Sequence, residues 1–331
     1  MRYIFLFTLL SVLIWWWYWF FSHENQVKKD GLVELQKKNE NFQAGTTELI
    51  NGNYTGAIDY FEKSKANLTS TSWLAIVDFN IASAKFELDR NSGASSYIDL
   101  SQDERYPKRT RALAMHRAYL MYRRYNDETI LRTIAEKTSI PWTNVEDVKY
   151  EYMQKSYDLY PLPGSSVFLM RRELSLAETK ENAESIRDRY KTSIEQGIDE
   201  MRKSSWELVE ATSAMLSYTN ILGSLYTRFG IGERNDIETR YKDLIQFDQE
   251  KNFTTNKQYA FLYYADFLAG LGDPTSALSI LQMLWSETLD RALIESLPRS
   301  NEYKNLKKIP RENIQNSEII KIIDGIWSAL N

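Results

Sequence analysis

One pattern of small and large apolar residues recurs along this chain at fixed offsets. In GTTELINGNYTGAIDYF (45–61), Gly45 stands twelve residues before Ala57 and sixteen before Phe61, with Gly52-Asn53 as a turn between them. Ala82 precedes Ala94 and Ile98 by the same offsets, and Ala265 precedes Ala277 and Leu281. Ala118 precedes Ile130 and Ile134, a partial match because Ile130 is not small. The starts at 45, 82 and 118 are 37 and 36 residues apart. Two antiparallel helices approach closely only where a small side chain faces the partner, and a larger residue one turn on fills the space beside it. Each such hairpin keeps an apolar face that only a neighbouring hairpin covers, so the units come in stacks.

The rest of the chain agrees with a helical array. No stretch after residue 24 alternates with period two, and Gly (13) and Pro (7) are too scarce for a protein of many turns. Ala183, Ile186, Tyr190, Ile194, Ile198 and Met201 fall at steps of three or four, which predicts an amphipathic helix from roughly 173 to 203. Residues 141–207 fit the repeat only as irregular helices, broken near Pro141 and at YPLPGSS (160–166). LPRSNEYKNLKKIPREN (297–313) reads as a polar loop and EIIKIIDGIWSAL (318–330) as a capping helix.

These residues resemble the tetratricopeptide repeat family, whose pattern joins Leu-Gly-x-x-Tyr on a first helix to Ala-x-x-x-Phe on a second. NILGSLYTRFG carries the first half as Leu222, Gly223 and Tyr226, and GNYTGAIDYF carries the second as Ala57 and Phe61. No single repeat carries both halves, and the closing proline is missing after Phe61 and Leu281, so the repeats are degenerate. The resemblance implies an all-α solenoid of stacked hairpins over 39–290. It also implies binding of an extended peptide along the first helices. That row would include Ile76, Phe79, Ser83 and Phe86, then Met115, Tyr119, Tyr122 and Arg123.

The N-terminus is of another kind. YIFLFTLLSVLIWWWYWFF (3–21) is uncharged and apolar for 19 residues, roughly 28 Å as a helix, enough to cross a bilayer core. Trp15, Trp16, Trp17, Tyr18 and Trp19 place one end at a headgroup interface. A cleaved signal peptide needs small residues after the apolar stretch; here Trp, Tyr and Phe stand instead, so 1–22 reads as an anchor. Residues 23–38 read as a juxtamembrane linker and 291–331 as the C-terminal loop and cap. Flanking charges are few, and the body is expected outside the cytoplasm, in the manner of an envelope protein.

Motifs for catalysis are not found. There is no cysteine, and the two histidines, His23 and His116, lack a partner at ligand spacing. His116 reads as a surface or interface residue. Phosphate-binding glycine loops are absent, and GIGERND (230–236) reads as an inter-helix turn. Glu295-Ser296 superficially matches a glycan-cleaving pair, a remote enzymatic alternative. The net charge of −4 gives no case for nucleic acid. One local reversal stands out: RYPKRTRALAMHRAYLMYRR (105–124) holds seven cations, Arg117 and Arg123 among them, and no acid. Either acids on adjoining helices balance it, or it forms a basic groove for an acidic segment. The expectation is a non-catalytic, membrane-anchored adaptor or scaffold that binds a protein or peptide and needs no cofactor or small-molecule substrate. A structural subunit of a membrane complex is the alternative.

Overall fold

The computed structural model describes residues 39–66, 68–125, 127–203, 207–251, 254–287 and 303–310. Among them are thirteen α-helices, one 3-10 turn and no strand. The all-α expectation holds. The expected anchor (1–22), linker (23–38) and capping helix (318–330) lie outside the described residues, as does Glu295. Among the described residues no helix is long and apolar enough to cross a membrane.

The chain divides into two units at Leu162 and Pro163, inside the Pro-Leu-Pro-Gly segment. The first holds α1 (Glu40–Ile50), α2 (Tyr54–Lys65), α3 (Thr71–Leu88), α4 (Arg90–Gln102), α5 (Lys108–Tyr125), α6 (Glu128–Lys137) and α7 (Val145–Leu159). Short polar side chains start these helices. Asn39, Asn53, Asp89, Asp127 and Asn144 each accept a backbone N–H of the first turn. Gly52 takes φ 78°, which lets three residues reverse the chain between α1 and α2.

The recurring positions are the packing sites. Ala57, Phe61, Ala82, Ala94, Ile98, Ala118, Ile130 and Ile134 are all 0% exposed. A Cβ on Gly45 would lie 2.8 Å from the Phe61 ring, so only glycine lets α2 seat that ring against α1. In the next hairpin the closest approach is at Gly93, where a Cβ would lie 2.3 Å from Phe86 Cα.

A second repeat is polar. Ser64, Ser101 and Thr138 are 37 residues apart, buried, and end the second helix of each hairpin. Their hydroxyls donate to the carbonyls of Phe61, Ile98 and Ile134, each at 2.6 Å. Their own carbonyls accept from Asn39 Nδ2 (3.1 Å), Arg111 Nε (2.9 Å) and Lys155 Nζ (2.9 Å). Helix ends leave carbonyls without intrahelical partners, and cations suit that negative end. Arg111 is thus a capping residue inside the basic stretch.

The regular pattern stops at α7. Ser156 Oγ donates to Ala112 O (3.3 Å), and Lys149 lies over the Tyr122 ring (6.0 Å). The end of α7 therefore meets the start of α5, so these helices run antiparallel. Stacked identical hairpins would set them parallel. The short α6 and the linker around Pro141 account for the change.

The second unit holds α8 (Pro163–Ser175), α9 (Lys180–Arg202), α10 (Leu208–Phe229), α11 (Arg234–Lys251), α12 (Thr254–Gly270), α13 (Pro274–Glu287) and a 3-10 turn (Lys304–Lys308). The stripe from Ala183 to Met201 is buried as expected. Its helix begins at Lys180 and not near 173, because Thr179 caps it by accepting from Asn182 N (3.2 Å). Gly230 ends α10 at φ 64°, and the turn implied at GIGERND is confined to 230–233, because α11 begins at Arg234. Gly223 packs beside Phe267, where a Cβ would meet its ring at 3.1 Å, and Ala265, Ala277 and Leu281 are fully buried.

One expectation is overturned. The segment around 303–309 is no free polar loop. Tyr303, Leu306 and Ile309 are buried, three residues apart, in the same core as α12. Asp266 on α12 accepts from Asn305 N (2.7 Å), Asn305 Nδ2 (3.1 Å) and Leu306 N (3.1 Å). A step of three matches the 3-10 period, which sets these side chains on one face. The strap explains why α12 is apolar nearly all round: α10, α11, α13 and the strap all pack against it.

Candidate binding surface

The sequence places the candidate surface on α3 and α5, which touch in the first unit. Most of its aromatic members turn inward. Phe79, Phe86, Met115, Tyr119 and Tyr122 are buried within the unit itself. Ile76, Ser83 and Arg117 are half-buried, and Arg123 is exposed. Large aromatics at helical spacing serve the core, and the smaller and charged members reach solvent.

The buried rings still shape what lies above them. Phe79 meets Tyr97 edge-on, with ring centroids 4.8 Å apart. Tyr97 Oη and Ser83 Oγ share a 2.5 Å hydrogen bond, so a polar contact closes one side of that pair. The Arg117 guanidinium lies 5.6 Å from the Phe79 ring centre, within cation–π range. This contact holds a long side chain near one place. Two half-buried residues missed by the sequence reading complete the strip: Asn80 on α3 and Leu120 on α5. Their signal was available, since 76, 80 and 83, like 117, 120 and 123, step along one helix face.

The basic stretch divides by role. Arg105 pairs with Asp103 (2.5 Å), whose carboxyl is lowered mainly by that hydrogen bond. Arg111 caps α4, and Arg117 covers Phe79. Lys108 and Arg123 are exposed, and Arg109 is half-buried. Part of the charge is therefore structural, and part faces solvent on α5.

No protein-family model matches this sequence. No curated protein matches it either.

His116 departs from its expected place. It is 4% exposed, not a surface residue, and its Nδ1 has no hydrogen-bond partner. Burial first, then the positive charges of Arg117 and Arg123, push it down to about 3, so it is neutral at physiological pH. Neutral, it adds no charge to the strip. Among the described residues, no group of three or more His, Asp or Glu is placed to hold a metal ion. The five interface aromatics from Trp15 to Trp19 lie outside the described residues.

Proposed function

We propose that this protein is a non-catalytic adaptor, tethered by residues 1–22, whose helical body binds an acidic protein segment across α3 and α5. The observation that carries the reading is the α3–α5 strip. It sets Arg117 over Phe79 and leaves Arg123 exposed, beside half-open Ile76, Asn80, Ser83 and Leu120. A guanidinium resting on an aromatic ring offers a carboxylate both charge and directed donors. The small–large recurrence supports a tetratricopeptide-like stack over 39–140 and 208–290, with α7 as an irregular element.

Charge reversal tests it. Arg117→Glu with Arg123→Glu abolishes partner capture by the full chain while helix content and melting stay as in the wild type. Unchanged capture removes the α3–α5 reading.

The body is proposed to lie outside the cytoplasm, in a bacterial envelope. Protease added to cells with an opened outer barrier and a sealed inner membrane then digests it. A body protected until that membrane dissolves lies in the cytosol, and the partner search moves there.

A further inference from the structure

In the second unit, Asp248 on α11 has no exposed surface, and among the described residues neither of its carboxyl oxygens has a hydrogen-bond partner. The ring of Tyr241 stacks on Tyr264, centroids 5.1 Å apart, which sets the register of α11 against the antiparallel α12. Seven residues along each helix, that register brings Asp248 level with Lys257 and beside Gln258. Gln258 Oε1 is also buried without a hydrogen-bond partner. The seam thus sets two acceptor groups together, and among the described residues neither is hydrogen-bonded.

The charged neighbours are few. Lys257 on α12 acts on Asp248 and also lies 6.0 Å over the Phe261 ring. On α10, the other helix packed against α11, Glu210 is buried near the same end, as is Glu207 just before that helix. Arg202, at the end of α9, lies over Phe247. A buried carboxylate without donors is costly when ionised, and it relieves that cost by taking a proton.

We propose that Asp248 is a proton-operated latch on the α11–α12 hairpin: protonated, it leaves this end closed, and ionised, it loosens it. Burial pushes the carboxyl up to about 7, against the pull of Lys257. The sign follows from linkage. The folded value lies above the ordinary carboxyl value of 3.8, so the closed form holds the proton more tightly. Stability is fullest at acid pH, declines between about 4 and 7, and levels off above that. From pH 6 to pH 8, the closed-to-open ratio falls about tenfold. His116 does not imitate this, since it is pushed down to about 3 and belongs to the first unit. The latch is independent of the α3–α5 surface.

The test is amide hydrogen exchange of α11 and α12 in the full chain at pH 6, 7 and 8, corrected for intrinsic rates. Wild type loses about tenfold in protection across that range, Asp248→Asn shows no such loss, and Lys257→Gln moves the loss to higher pH. A wild type without pH dependence, or an Asp248→Asn chain that keeps it, overturns the proposal. Should Asp248→Asn fail to fold, carboxyl carbon NMR on the wild type decides. Titration of Asp248 below pH 5 overturns the latch, and titration near 7 supports it.

Discussion

Phe61→Ala costs the first unit about 3–5 kcal/mol, the range for truncating a buried aromatic. The ring is fully buried and stands 5.5 Å from the ring of Phe42. It rests directly on Gly45, which has no side chain to move into the space left behind. Neighbouring Val77, Ile81 and Ala84 belong to the same cluster and are themselves buried. Collapse is therefore limited, and the loss falls toward the upper end of the range. Against a domain stability of about 5–15 kcal/mol, this is enough to open the first hairpin. Hydrogen exchange along α1 and α2 reads the effect, with α8 to α13 as the internal reference. A loss below about 0.5 kcal/mol, the scale of an ordinary surface change, contradicts the packing role given to the recurring positions.

Gly93→Ala destabilises by up to about 2 kcal/mol, and here two effects oppose each other. Helix propensity alone favours alanine over glycine in α4 by about 1 kcal/mol. Packing acts the other way. The new methyl would stand 2.3 Å from both Cα and Cβ of Phe86 and 2.4 Å from its backbone nitrogen. Backbone cannot rotate aside, so α3 and α4 must separate, an overpacking cost of about 1–3 kcal/mol or more. The Phe86 ring meets Tyr125 at 5.7 Å, so the strain reaches the end of α5. Urea unfolding of the first unit shows which effect wins. A chain more stable than wild type means that propensity decides and that the α3–α4 approach is less tight than described.

Much of the helical packing was legible because it repeats. Gly45, Ala57 and Phe61, with their counterparts at 82, 94 and 98 and at 265, 277 and 281, announced themselves by spacing, and each is buried. The long stripe from Ala183 to Met201 was legible for the same reason, though not its start, which a single cap at Thr179 decides.

What stayed hidden is non-local. Nothing near Asp266 in sequence says that its carboxylate will cap residues 305 and 306. The buried Tyr303, Leu306 and Ile309 were masked by the lysines among them, although their step of three was visible. The antiparallel meeting of α5 and α7 depends on the length of α6 and the path of the linker after it. The candidate surface was half legible. The sequence named α3 and α5 but could not tell which of their side chains turn inward, because core-facing and open positions share one helical period. His116 was misplaced for a related reason: a lone histidine on a basic helix looks solvated until a facing helix covers it.

The central claim is that the α3–α5 strip holds a protein partner. The most direct measurement is photo-cross-linking in intact membranes from a probe placed at Asn80 or at Leu120, with the exposed Asp188 on α9 as the control position. The account predicts one discrete protein adduct from both strip positions. That adduct weakens as salt rises, is absent from Asp188, and is lost when Arg117 and Arg123 become glutamate. The same adducts from Asp188, or strip adducts that survive the charge reversal, contradict it.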